Sequence, residues 1–139
     1  MPTAPDPVIA RFDRLWQFHI DSLADRLGAT PSVLLCMPDG RPLAARGLAD
    51  HDLDPIARLT CDLVAASASL TTARHSAVEE IEIVQFIGGR SRTVVRGAPV
   101  HGHGTLLLSV TAEDVSLSLM IVQVRRTAGE LATLLSAAG

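Results

Sequence analysis

The stretch Asp54-Pro55-Ile56-Ala57-Arg58-Leu59-Thr60-Cys61-Asp62-Leu63-Val64-Ala65-Ala66-Ser67-Ala68-Ser69-Leu70-Thr71-Thr72-Ala73-Arg74 decides how this chain is read. Aspartate followed by proline opens a helix. The carboxylate accepts unpaired amide protons of the first turn, and proline's missing N–H has no partner to lose there. The run continues to about Arg74, which predicts roughly 20 residues and ~30 Å of helix. At 100° per residue its side chains fall into three sectors. Ile56, Leu59, Leu63 and Leu70 form a large apolar sector, Ala57, Cys61, Val64 and Ala68 a small apolar one, and Arg58, Asp62 and Ser69 a wet one. The large sector is expected to pack on the protein's own sheet. The small sector would let another helix approach closely, so it is expected to be an interface.

On the N-terminal side, the apolar run Ser32 to Met37, the turn Pro38-Asp39-Gly40 and the extended run Pro42 to Arg46 predict a hairpin. Pro42 cannot donate to a strand ladder, which puts its strand at a sheet edge. Before the hairpin, Asp6-Pro7 repeats the helix opening, and Val8, Phe12, Leu15, Trp16, His19, Leu23 and Leu27 recur at helical spacing up to Gly28. Residues 1–7 are expected to be disordered. On the C-terminal side, Ile81 to Ile87, a Gly88-Gly89 turn, Thr93 to Ala98 and Thr105 to Val110 predict three further strands, with an extended loop from Ala98 to Gly104. Thr111 with Asp114 has the form of a capping box, and Leu117, Met120, Ile121, Val124, Ala128, Leu131 and Leu135 keep helical spacing. Val115, Leu117, Leu119 and Ile121 also alternate, which leaves a strand over 115–124 open. Gly129, worth about 1 kcal/mol against alanine in an exposed helix interior, implies a kink or a close backbone approach.

The 139 residues suit one domain able to bury a core without disulfides or metal. With 47% hydrophobic and 19% charged residues, the chain is too apolar for disorder and leaves apolar surface for a partner to cover. A net charge of −3, 3% aromatics and no tyrosine provide neither a basic footprint nor stacking platforms, so nucleic acid is set aside. The spacing of Cys36 and Cys61 matches no zinc or redox motif, which points to reduced, buried thiols. Met1 to Pro7 has no secretory pattern and no apolar run approaches the ~18 residues of a membrane span, so a cytoplasmic protein without membrane contact is expected.

The order helix, two strands, long helix, three strands, helix resembles the Roadblock family. That family includes the roadblock-type dynein light chains and prokaryotic regulators of small GTPases. Val33 to Met37 and then Asp39-Gly40-Arg41-Pro42-Leu43-Ala44-Ala45 is similar to the family's strand, acidic-glycine turn and strand ending in small residues. Ile56-Ala57-Arg58-Leu59 through Leu70 resembles its alanine- and serine-rich central helix, and Leu106 to Arg126 its last strand, acidic turn and final helix. The resemblance covers about residues 8–135. It implies a profilin-like α+β fold: a five-stranded antiparallel sheet in the order 2-1-5-4-3, the central helix on one face and the terminal helices on the other. It also implies a homodimer that joins the third strand to its twin and packs the central helices side by side. Ile81 to Ile87 has neither proline nor lysine to blunt such pairing. The expected interface is therefore Ala57, Cys61, Val64 and Ala68 with Ile81, Ile83, Gln85 and Ile87. The implied role is a regulatory adaptor for a small Ras-like GTPase, with no catalytic residue, cofactor or metal of its own.

Other chemistry has weaker footing. His101 and His103 are two ligands where a metal site needs three or four. His19 falls on the apolar stripe of the first helix, as a hydrogen-bonded core histidine, and His51 and His75 flank the central helix facing solvent. Glu79, Glu80 and Glu82, and Asp50 and Asp52, lack an orienting partner and are expected to be solvated, with Glu82 guarding the edge strand. Gly88-Gly89 lacks the Lys-Ser/Thr of a phosphate loop. Arg90, Arg92, Arg96, Arg125 and Arg126 could supply a finger to a GTPase, but solvated surface is the simpler reading of each. Two rival functions remain: a small-molecule sensor with a profilin- or PAS-like pocket, and a metal-dependent enzyme built on His101 and His103.

Overall fold

A tight turn starts the fold. The Gly40 amide donates to the Met37 carbonyl at 3.0 Å and the Met37 amide to the Arg41 carbonyl at 2.8 Å, while Asp39 Oδ1 accepts from the Arg41 amide. Gly40 at φ +94° takes a conformation that side chains resist. This reverses β1 (Ser32–Cys36) into β2 (Pro42–Arg46). The computed structural model describes residues 13–73, 81–100 and 104–138, and the remaining elements are α1 (Asp13–Leu27), α2 (Asp50–Ala73), β3 (Glu82–Ile87), β4 (Ser91–Val100), β5 (Gly104–Glu113) and α3 (Leu117–Ala138).

The five strands form one antiparallel sheet in the order β2-β1-β5-β4-β3. Pro42 lies on one edge strand, as the sequence predicts, and β3 is the other, as the Roadblock resemblance implies. Alternation along each strand builds two cores. On one face, Val33, Leu35, Val94, Leu106, Leu108 and Val110 pack under Trp16, Ile20 and Leu23 of α1 and Met120, Val124 and Leu131 of α3. On the other, a smaller cluster gathers Leu34, Cys36 and Leu107 with Ala57 of α2.

Three boundaries differ from expectation. α2 begins at Asp50, one turn before the Asp54-Pro55 signature. Pro55 sits in the second turn, where it removes one backbone hydrogen bond and the rest of the helix carries it. Thr111 and Asp114 do not cap α3. Thr111 remains in β5 opposite Ser32 and Thr93, Asp114 turns the chain at φ +58°, and the cap is Ser116, whose hydroxyl accepts the Leu119 amide at 3.1 Å. The alternation over 115–124 is therefore resolved as helix from Leu117. Finally, β4 runs through to Val100 and β5 resumes at Gly104, so the extended loop expected from Ala98 shrinks to a hairpin connection.

Gly129 neither ends nor interrupts α3, and a Cβ built there meets nothing within 4 Å. The expected close approach is absent at that residue. α1 ends at Gly28, φ +67°, whose amide returns to the Ala24 carbonyl at 3.1 Å. Val8 and Phe12, and the expected disorder of residues 1–7, lie outside the described residues.

Candidate functional site

The inward face of α2 differs from the expectation, since it is made chiefly of the small sector. Ala57 is fully buried against the sheet, with Cys61 and Val64 packed beside it on Leu34, Cys36 and Leu107, whereas Leu59 is 65% exposed. Ile56 of the large sector packs on the same cluster, at its rim. Ala57, Cys61 and Val64 therefore belong to the protomer's own core. The outward stripe is Leu59, Asp62, Ala66 and Ser69, spaced three or four apart along one side of the helix and all exposed. A shallow depression lined by Asp54, Pro55, Arg58, Leu59 and Asp62 follows its first turns. Ala68 is half-buried, and the side chain of Leu70 lies outside the description.

β3 forms the second part of the surface. It pairs with β4 over six consecutive positions from Glu82↔Arg96 to Ile87↔Ser91 in unbroken register, so its outer side is a regular strand edge. Gln85 is exposed, Ile83 half-buried, and Phe86 and Ile87 are 65% and 57% exposed. Ile81 precedes the strand and is buried, its carbonyl accepting the Gly97 amide at 3.0 Å. Among the described residues, other exposed large apolar side chains are Leu15, Phe18, Leu119 and Val122 on the terminal helices.

The polar candidates fall largely into structural roles. Glu82 does not stand guard over the open edge; it turns to α3 and takes both Nε and Nη2 of Arg125, with Arg96 at 3.5 Å. The Arg125 guanidinium holds its carboxyl below the usual carboxylate range, against the opposing pull of burial. Arg92 donates to the Val115 carbonyl and Arg126 pairs with Glu130 at 3.1 Å. Arg90 is exposed in the β3–β4 turn. His19 Nδ1 lies 3.1 Å from Glu130 Oε2, joining α1 to α3 as a half-buried histidine with a partner. His51 is exposed beside Asp52, and Asp50 and Asp52 occupy the first turn of α2, where the helix dipole favours negative charge. His75, Glu79, Glu80, His101 and His103 lie outside the described residues.

One hollow under α2 bears on the sensor alternative. Ser32, Leu34, Leu48, Ile56, Ser109 and Thr111 line a space of about 200 Å³, below the ~300–1,000 Å³ of typical ligand pockets. Among the described residues, no group of three or more His, Cys, Asp or Glu could hold a metal ion, and no helix is long and apolar enough to cross a membrane.

The geometry has clear counterparts among solved structures. MglB of Myxococcus xanthus superposes with a TM-score of 0.76 over 98% of this chain and 96% of that one, at 18% identity. The Roadblock/LC7 domain from Streptomyces avermitilis gives 0.72 over 86% of this chain and 96% of its own, at 20% identity. The chain has the Roadblock fold. The gliding protein MglB from Thermus thermophilus shares it, with a TM-score of 0.72 and 20% identity over 99% of this chain and 95% of that one. No family model and no curated protein sequence matches the chain, so the Roadblock likeness is carried by backbone geometry. The expected sheet order and helix placement are those observed.

Proposed function

We propose that this Roadblock-fold chain is a homodimeric regulatory adaptor. It binds a small Ras-like GTPase in the cytoplasm, works without an active site or cofactor of its own, and acts on the partner's nucleotide state. The observation that carries the reading is an unpaired, regular β3 edge with Phe86 and Ile87 in the open, in a chain whose α2 also turns Leu59 outward. Two copies joined edge to edge would continue the sheet and bring the α2 helices together on one side of it. The helix contact in this dimer uses Leu59, Asp62, Ala66 and Ser69, since Ala57 is already enclosed; Ile83, Gln85 and Ile87 supply the strand contact. One solved structure with this fold is described as MglB with a tetrameric arrangement, at TM-score 0.71 and 21% identity, which favours self-association.

A GTPase partner follows from the Roadblock resemblance. The adaptor would need only to bind one nucleotide state more tightly, since a ligand shifts an equilibrium by its differential affinity for the two states. The test has two parts. Light scattering should give a dimer for the native chain and a monomer for Val84→Pro, which removes an outward-facing amide of the β3 edge. Titration against small Ras-like GTPases from the same organism, loaded with GDP or a non-hydrolysable GTP analogue, should show at least ~10-fold preference for one state. A monomeric native chain would overturn the assembly, and equal or absent binding across those GTPases would overturn the adaptor role.

A further inference from the structure

The only two cysteines of the chain, Cys36 and Cys61, come from segments on opposite sides of the β1–β2 turn, and the fold brings them together. Cys36 is the last residue of β1 and fully buried; Cys61 lies on the sheet-facing side of α2 and is half-buried. Both thiols are free and both belong to the small core under α2, where Cys61 packs against the cluster that contains Cys36. Cys61 Sγ also donates to the carbonyl of Met37, the residue after Cys36, at 3.4 Å. A single-residue offset on either element would have pointed one thiol away from the other.

We propose that Cys36 and Cys61 form a reversible intramolecular disulfide that locks α2 onto the sheet, with a hydroperoxide as the oxidant. Cys61, the more accessible thiol, reacts first. Its thiolate sulfur attacks the peroxide O–O bond, becomes a sulfenic acid, and releases an alcohol or, from hydrogen peroxide, water. The Cys36 sulfur then displaces hydroxide from that sulfenic sulfur, closing the S–S bond and releasing water. Two thiols thus lose two electrons and two protons, and one peroxide is reduced. A dithiol reductant reverses the change.

Burial pushes both thiols above the ordinary range, Cys36 furthest. Since the thiolate is the nucleophile, the bridge forms slowly at neutral pH and faster as the pH rises. The pair therefore answers sustained oxidation rather than brief exposure. A bridge between these positions ties α2 to β1, so any surface presented by α2 is held in one position. Only that last consequence rests on the adaptor reading; the bond itself does not.

The test is to treat the purified native chain with hydrogen peroxide over a pH series, quench with an alkylating agent under denaturing conditions, and measure intact mass and mapped peptides. The expected product is a single chain lighter by two hydrogens, with the Cys36 and Cys61 peptides linked, formed at least ~3-fold faster per pH unit in the alkaline range and reversed by dithiothreitol. Cys61→Ser should abolish it while leaving the circular dichroism spectrum unchanged. If both thiols still alkylate after oxidation, if the link joins two chains, or if Cys61 proceeds to sulfinic acid without bridging, the proposal is overturned. Failure of these outcomes leaves dimerisation and GTPase binding untouched, so the two readings are tested separately.

Discussion

Arg125 of α3 grips Glu82 of β3 through two parallel hydrogen bonds, Nε to Oε1 at 2.8 Å and Nη2 to Oε2 at 2.7 Å. The fork ties the terminal helix to the strand whose other side is unpaired, and so holds that edge flat. Because the Glu82 carboxyl titrates lower in the folded chain, its stabilising effect is fully present above the unfolded value and is lost as the pH falls through the folded one. Glu82→Gln should therefore melt earlier than the native chain at neutral pH. The difference should start to narrow below about pH 4.3, the ordinary glutamate value. Melting temperatures by circular dichroism across a pH series decide it, and parallel curves would contradict the assignment.

The two sides of α2 make opposite predictions for the same kind of change. Ala57→Arg forces a charge into the enclosed contact with Leu34, Cys36 and Leu107, and should leave little folded protein. Leu59→Arg adds charge where the side chain already meets solvent in one protomer. It should keep the fold and shift light scattering toward monomer. A folded Ala57→Arg dimer would show that the helix is turned the other way.

Trp16, the single tryptophan, is fully buried among α1, α3 and the sheet. Trp16→Ala removes a large core side chain and should cost about 3–5 kcal/mol. Urea unfolding followed by circular dichroism gives the value. A loss below about 1 kcal/mol would mean that the site collapses around the gap.

Two glycines should respond with opposite signs. Gly47 sits at φ +77°, and a Cβ there would stand 2.5 Å from the Pro31 carbonyl oxygen. Gly47→Ala should destabilise by roughly 1–3 kcal/mol. Gly129→Ala meets open space on an exposed part of α3 and should stabilise by about 1 kcal/mol. Both are read from denaturant midpoints at constant slope.

The first hairpin and one sheet edge were legible from local chemistry, because Asp39-Gly40 reverses the chain and Pro42 excludes a central position; the full strand order was implied only by the Roadblock resemblance. The orientation of α2 was not legible. A helical wheel sorts side chains by size and angle, yet which sector faces inward depends on what the sheet sends up to meet it. Here Ala57 and Cys61 meet Leu34 and Leu107, with Ile56 at the rim, and Leu59 is left outside. Boundaries misled for a similar reason. Asp54-Pro55 and Thr111 with Asp114 both have cap composition, but the chain before Asp54 was already helical and Thr111 was already paired with two neighbouring strands. Of the expected interface, the β3 residues other than Ile81 stand at an open edge, while Ala57, Cys61 and Val64 face inward.

β1 and β4 meet only through β5, which pairs with Ser32–Cys36 on one side and with Ser91–Val100 on the other. The N-terminal and C-terminal hairpins are therefore separate pieces until the last strand slots between them. A nascent chain emerging from the ribosome cannot complete its sheet before residues 104–113 have been made and have left the exit tunnel. Until then the row of amides and carbonyls along β1 stays open to any passing strand, which makes the late stage of synthesis the moment of greatest exposure to misassembly.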